Sequence, residues 1–302
     1  MGRDDNFYWI GKGNEMIEIN STRCSGCGFC LDVCPNYVFA LGEDRVTKVR
    51  YPEQCCRCGH CVAICPENAL IHEEMPAEKF ENLPLTTISP ETMRDLLLSR
   101  RSIRAYKEKS VPKELIEQLI EVGVHAGTSS NGQMENFIVI QDQKLLSDLE
   151  KKVIEVVWNT GLKHLGNSIG QNLAKTQIGD EMVRQSVPYH YIIKNRRSDD
   201  QLAGLIFRNA PVVIVIHGLR TNLLARGNCW VAARNIEIMA KTMGLGTCLV
   251  GFLSIAAHFD KEIGKYLAVP DNHNIYSAIM VGYPKHEYKK TAPRKERQVR
   301  WI

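Results

Sequence analysis

The sequence predicts an α+β protein of two unequal units, a small cysteine-rich one followed by a larger one in which helices cover a central sheet. Three observations carry this. Nine of the 11 cysteines in the 302-residue chain fall between positions 24 and 65. The short runs at 137–141 (FIVIQ), 212–216 (VVIVI) and 276–281 (YSAIMV) are apolar with almost no polar side, the pattern of strands covered on both faces. Between them lie longer segments with apolar residues at helical spacing, and strands separated by such segments imply a covered sheet.

A chain of this length buries a sizeable core and suits two domains. With 44% hydrophobic and 24% charged residues it is neither disordered nor fibrous. Apolar runs such as 212–216 are too short to span a bilayer, and residues 1–10 (MGRDDNFYWI) lack the hydrophobic stretch of a signal peptide, so the expected setting is the cytoplasm, with no membrane and no nucleic-acid partner. In a reducing compartment, crowded cysteines read as metal ligands rather than disulfides. The net charge of +4 is split: residues 1–80 hold 8 Lys and Arg against 12 Asp and Glu, whereas the remainder is basic. The two parts are candidates for different jobs.

In chain order, the expected organisation is a cysteine-rich domain over residues 1–78, a linker over 79–90, and a larger domain over 91–302 with a lid-like insertion around 150–204. Within the first, two segments share one spacing. CSGCGFCLDVCP (24–35) and CCRCGHCVAICP (55–66) each read C-x2-C-x2-C-x3-C-P, 31 residues apart. Cys55, not Cys56, repeats the interval between Cys24 and Cys27, so Cys56 is expected to be a bystander. Gly26, Gly28 and Gly59 fit tight loops that need permissive backbone angles. Paired structural zinc sites also use sets of four cysteines, but commonly as two CxxC pairs per metal. The doubled run with its proline resembles the bacterial ferredoxin domain with two [4Fe–4S] clusters, over about residues 14–76. In that pattern the fourth cysteine of each run ligates the other cluster. The resemblance therefore implies Cys24, Cys27, Cys30 and Cys65 for one cluster, Cys55, Cys58, Cys61 and Cys34 for the other, and one-electron transfer. Gly11-Lys12-Gly13 lacks the strand and helix of a nucleotide loop.

Residues 76–90 carry three prolines and no long periodic apolar face. Ser89 and Pro90 then supply an N-cap and a first-turn proline for a helix with Met93, Leu96 and Leu97 on one side, running into SRRSIRAY (99–106). Pro112 opens a second helix, with Leu115, Leu119 and Val122 in line and Ile116 and Ile120 widening the stripe. From 228 to 243, Ala232, Ile236, Met239, Ala240 and Met243 form a third stripe that Gly244 is placed to close.

RRSIRAY (100–106), AGTSSNGQMENFIVI (126–140), APVVIVI (210–216), GLGTCLVGFL (244–253), VGYP (281–284) and a basic tail occur in the order found in the nitroreductase family, which this chain resembles from about residue 90 to 302. The resemblance implies an α/β sandwich, FMN, and a homodimer with FMN at the interface. It places the flavin phosphate and ribityl chain on Arg100, Arg101, Ser102 and Arg104, aided by Arg294 of the tail or by Lys295 or Arg297. Arginine suits the phosphate because its planar fork bonds two oxygens at once. It further implies polar contacts from Thr128, Ser129 and Asn131, with Gln133 nearby, and puts Leu249, Val250 and Gly251 beside the flavin ring, the backbone N–H groups of Val250 and Gly251 donating to it. Met134 and Glu135 stand where many relatives have proline and an aromatic, which alters the expected substrate pocket. Cys248 and Cys229 have no partner group in sequence and are expected to be packed residues. No acid or base side chain for catalysis is identified.

The whole therefore reads as a ferredoxin–nitroreductase fusion: an FMN- and iron–sulfur-dependent oxidoreductase reducing a small organic acceptor, nitroaromatic or quinone-like by resemblance. NAD(P)H is a candidate electron donor, and a redox protein a candidate donor or acceptor. A flavin dehydrogenase discharging through the clusters, and a non-catalytic electron carrier, are the alternatives.

Overall fold

The structure, a computed structural model, describes residues 16–84, 87–196 and 202–302. Gly11-Lys12-Gly13 and part of the expected insertion lie outside the described residues. Among those described, no helix is long and apolar enough to cross a membrane. The chain divides into two units, Met1–Thr87 with Thr128–Gly132, and Ile88–Gly127 with Gln133–Ile302. The division at Thr87 lies inside the stretch read as a linker.

The first unit repeats one motif. Strand β1 (Ile17–Ile19), helix α1 (Phe29–Val33) and strand β2 (Phe39–Leu41) are followed by β3 (Thr47–Val49), α2 (His60–Ile64) and β4 (Leu70–His72). β1 pairs antiparallel with β4, Ile17 opposite His72, and β2 with β3, Phe39 opposite Val49. The sequence repeat is also a backbone repeat. Gly28 and Gly59, with φ of 79° and 75°, lead into α1 and α2, and Tyr37 and Asn68 share a left-handed φ just after each run. Gly26 and Arg57 are likewise matched at 70° and 56°. At Gly26 a Cβ would strike the Arg45 carbonyl, so glycine is required there for space as well as angle. Ile17, Val38, Phe39, Val62 and Leu70 form a small core around Cys30 and Cys61.

In the second unit β5 (Asn136–Ile140), β6 (Val212–Leu219), β7 (Gly246–Leu249) and β8 (His273–Gly282) form one antiparallel sheet in the order β5-β6-β8-β7. The three apolar runs of the sequence are β5, β6 and β8; β7 is an additional strand within GLGTCLVGFL. Side chains alternate between two cores. Val213, Val215, Ala278 and Met280 face one side, packed with Leu149 and Val153 of helix α5 (Gln143–Thr160). Val212, Ile214, Ile216 and Ile279 face the other, packed with Leu119 of helix α4 (Lys113–Val124). Both faces are covered, which is why β6 has no polar side.

Helix starts follow the predicted chemistry. Helix α3 (Pro90–Ser99) begins at Pro90, and the Ser89 hydroxyl accepts from the Thr92 N–H at 3.2 Å. Its Met93, Leu97 and Leu98 remain exposed. The insertion stretch is largely helical, forming the end of α5, α6 (Ser168–Ile178) and α7 (Asp180–Asn195). The stripe near 228–243 is helix α8 (Ala225–Thr242), whose residues Cys229, Ala232 and Ile236 join the second core. Gly244 follows it with a φ of 72°, as a left-handed closing residue. Helices α9 (Gly251–Phe259) and α10 (Lys261–Tyr266) complete the first face.

One buried carboxylate organises a crossing. Glu150, 5% exposed on α5, accepts from the N–H groups of Gly204, Ile206 and Phe207 at 2.7, 2.7 and 2.9 Å. These fix the approach to β6. Glu150→Ala is expected to destabilise the second unit by several kcal/mol, since hydrogen bonds to a charged group contribute about 1.5–3 kcal/mol each. Thermal melting checks this, with Glu150→Gln retaining a larger part of the stability through its amide oxygen.

Candidate functional site

The cysteine runs place their sulfurs through the two short helices. Each triple starts in the loop before a helix, the third cysteine (Cys30 or Cys61) is buried on that helix, and the fourth (Cys34 or Cys65) caps its end. Cys34, the fourth of the first run, lines one cavity with Cys55, Cys58 and Cys61 of the second, together with Val38 and His72. Burial pushes the Cys61 thiol up to about 12, and like charge adds to this from Cys55, Cys58 and Cys34. At Cys30 burial also raises the thiol, opposed by the Thr47 hydroxyl, and the sulfurs adding like charge are Cys27 and Cys65. Each triple thus has the other run's fourth cysteine as a near neighbour.

Backbone N–H groups donate to several of these sulfurs: Val38 to Cys34 Sγ at 3.4 Å, Arg57 to Cys55 Sγ at 3.3 Å and Ala69 to Cys65 Sγ at 3.2 Å. Such donors stabilise thiolates, and crowded thiolates require a cationic partner, so the donor set suits iron. Among the described residues no three His, Cys, Asp or Glu groups close on a single-ion site. The second run borders a cavity instead. Cys56 lines that cavity too, and its thiol is raised by burial and by Cys58. Spacing alone therefore selects Cys55 over Cys56. Cys56→Ala is expected to keep the full iron content, measured by metal analysis; loss of one cluster's iron would move the ligand assignment.

In the second unit the basic segment is pinned to the sheet edge. Ser102 bridges Thr247 of β7 in parallel, the Ile103 N–H donates to the Thr247 carbonyl at 2.9 Å, and the Lys107 N–H to the Tyr283 carbonyl at 2.8 Å. The Tyr106 hydroxyl closes this turn on the Ile103 carbonyl at 2.7 Å. Arg100 to Arg104 therefore run alongside the strand that leads to Leu249, Val250 and Gly251. Gly246 makes the approach close, because a Cβ there would overlap the Ile103 side chain.

The arginines are unequally committed. Arg100 Nη1 pairs with Glu237 Oε1 at 3.2 Å, and Arg234 Nη1 pairs with Glu237 Oε2 at 3.3 Å, Glu237 being 5% exposed on α8. Arg101 donates to the carbonyls of Leu98 and Arg100 at 2.9 and 2.8 Å, and to that of Lys290 in the tail at 3.4 Å. Arg104 is exposed. Arg294 lies four residues beyond Lys290 in an exposed segment.

One expected donor is spent inside the protein. The Val250 N–H bonds the Ala278 carbonyl at 2.8 Å, because Val250 continues the edge of β7 along β8. Gly251 opens α9, where first-turn amides lack an intrahelical acceptor, and a Cβ built on it would meet nothing within 4 Å. Gly251 is exposed.

Thr128, Ser129 and Asn131 group with the first unit, whereas Gln133 belongs to the second. Ser130, Asn131 and Gln133 have φ of 51°, 52° and 47°. Left-handed angles at non-glycine residues cost about 1–3 kcal/mol each and gather at functional loops. Cys229 and Cys248 are buried at 0% and 4%, as packed residues. Sequence reasoning missed Glu237, whose charge on a buried helical stripe is the signal that an arginine must meet it. It also missed His72, hidden in an apolar strand end.

Residues 97–283 match the model of the nitroreductase family, and residues 23–69 that of the 4Fe-4S dicluster domain. A relative from Archaeoglobus fulgidus, provisionally named an NADH dehydrogenase/NAD(P)H nitroreductase, is 22% identical over 64% of this chain and 85% of its own. The 4-nitrobenzoate reductase of a Nocardioides species is 22% identical over 62% of this chain and 78% of its own. Among solved structures, a nitroreductase with bound FMN from Desulfitobacterium hafniense superposes with a TM-score of 0.52 at 18% identity, covering 70% of this chain and 100% of that one.

Proposed function

The chain belongs to the nitroreductase family, with a 4Fe-4S dicluster domain ahead of the family domain, and on that premise we propose that it is an FMN- and iron–sulfur-dependent oxidoreductase reducing a small organic acceptor. The observation that carries this reading is the order of the two matches within one chain, a one-electron module followed by a flavin-type fold. When bound, the clusters supply single electrons and FMN couples them to two-electron transfer.

The chain's own residues have definite tasks in this reading. Cys24, Cys27, Cys30 and Cys65 hold one cluster and Cys55, Cys58, Cys61 and Cys34 the other; the cavity shared by Cys34 with the second triple supports the crossed set. Arg104 and Ser102 bind the flavin phosphate and ribityl chain, with Arg294 from the tail. Arg100 is held at the same segment by Glu237, which fixes its direction and limits how much of its charge faces a ligand. The Gly251 amide orients the ring and stabilises negative charge developing there. By resemblance, Thr128, Ser129, Asn131 and Gln133 are further candidates for polar contacts to the flavin. The exposed apolar residues of α3, Met93, Leu97 and Leu98, support assembly as a homodimer. NAD(P)H as donor and a nitroaromatic acceptor are supported by what the curated relatives are named for, and a quinone-like acceptor rests on the family resemblance alone.

Anaerobic purification followed by absorption spectroscopy and metal analysis tests the proposal. Flavin bands over a broad iron–sulfur shoulder, with about eight iron atoms per chain, are expected for two four-iron clusters. A colourless, iron-free protein overturns it.

A further inference from the structure

We propose that His72 donates an N–H···S hydrogen bond to Cys55 and thereby raises the reduction potential of the cluster held by the second cysteine run. The inference rests on the ligand set proposed above. His72 is 2% exposed at the end of β4, where pairing with Ile17 of β1 fixes it. Its Nδ1 accepts from the backbone N–H groups of Glu74 and Met75, each at 3.2 Å. A ring nitrogen accepting two such bonds carries no proton, so in the neutral ring the proton is on Nε2. Nε2 lies 3.6 Å from Cys55 Sγ. The chain thus spends two backbone donors on locking one tautomer and aims the remaining N–H at a cluster ligand.

The two halves differ here. Thirty-one residues before His72 stands Leu41, which is exposed and has no donor to offer. Arg57, the counterpart of Gly26, gives its backbone N–H to the same Cys55 sulfur at 3.3 Å and holds its guanidinium 2.8 Å from Glu74. In the first run the Thr47 hydroxyl lies 3.6 Å from Cys30 Sγ, and Cys24 takes backbone hydrogen bonds from Gly26 and Thr47, so the donor particular to the second run is the His72 ring. Donors to a ligating sulfur favour the more negative, reduced form, and this raises the potential. The step affected is uptake of one electron by the oxidised cluster, with no bond made or broken; in the test dithionite supplies that electron.

The test is an anaerobic redox titration followed by electron paramagnetic resonance, with iron quantified in each sample. In His72→Phe one of the two cluster potentials is expected to fall by about 59 mV, a tenfold change in a one-electron equilibrium, while the other stays in place. His72→Gln, whose amide nitrogen reaches the position of Nε2, is expected to recover part of the shift. Full iron with both potentials unchanged in His72→Phe overturns the inference and leaves the cluster assignment standing; a wild-type protein without iron overturns the assignment itself. Should His72→Phe lose iron, a His60→Gln protein with nitrogen-15 histidine replaces it. A nitrogen coupling to a reduced cluster is then expected, and its absence overturns the inference.

Discussion

Replacing Arg100 and Arg104 together by alanine is expected to strip the flavin from the protein while its iron content stays unchanged. A charge-assisted bond to phosphate contributes about 1.5–3 kcal/mol, so losing the Arg104 bond, with whatever part of Arg100's charge Glu237 leaves for the ligand, costs about 1.5–6 kcal/mol. At 1.4 kcal/mol per tenfold, that weakens FMN binding by about 10–10⁴. The structure refines how the variant is read. Arg100 also neutralises buried Glu237, so its removal leaves that carboxylate with Arg234 as its remaining ion-pair partner and adds a stability cost. Arg104 is exposed, and Arg104→Ala isolates the ligand contact. Flavin released on denaturation, measured against iron, decides the point: a normal flavin-to-iron ratio in the double variant would place the phosphate elsewhere.

Cys58→Ala is expected to abolish turnover driven by a reduced ferredoxin-type donor and to spare turnover driven directly by NAD(P)H. Cys58 lies on the cavity it shares with Cys34, Cys55 and Cys61, and removing its thiolate changes the ligation and charge that set the cluster's potential. Steady-state rates with the two donors, taken on the same preparation, check this. Equal loss of both would mean that every electron crosses the clusters or that the clusters hold the fold together.

Much of this arrangement was legible in the residues. The cysteine runs state their repeat outright, and the backbone repeats with them, down to matched left-handed residues at Gly26 and Arg57, and at Tyr37 and Asn68. The apolar runs that become β5, β6 and β8 read directly as strands, most plainly β6, which is covered on both faces. Caps such as Ser89 and Gly244 are local chemistry and read directly.

What was not legible is pairing between distant segments. β7 is four residues long and flanked by glycines, so nothing in its period marks it as a strand. The extended run at Ser102 owes its shape to β7 and could not be placed before it. The bond from the Val250 amide to the Ala278 carbonyl is hidden for the same reason, since it depends on sheet register. Glu150, Glu237 and His72 are polar residues in apolar surroundings; Glu150 has its partners 54 or more residues away, Glu237 meets Arg100 at the end of α3, and His72 lies against Cys55, 17 residues before it.

In the function proposed above, electrons pass between the iron–sulfur clusters and the flavin of this protein. Anaerobic rapid mixing of the oxidised protein with a reduced ferredoxin-type donor, followed by absorption, tests it most directly. Loss of the iron–sulfur absorption first, and bleaching of the flavin after it, is the expected result. Clusters that become fully reduced while the flavin stays oxidised would contradict it.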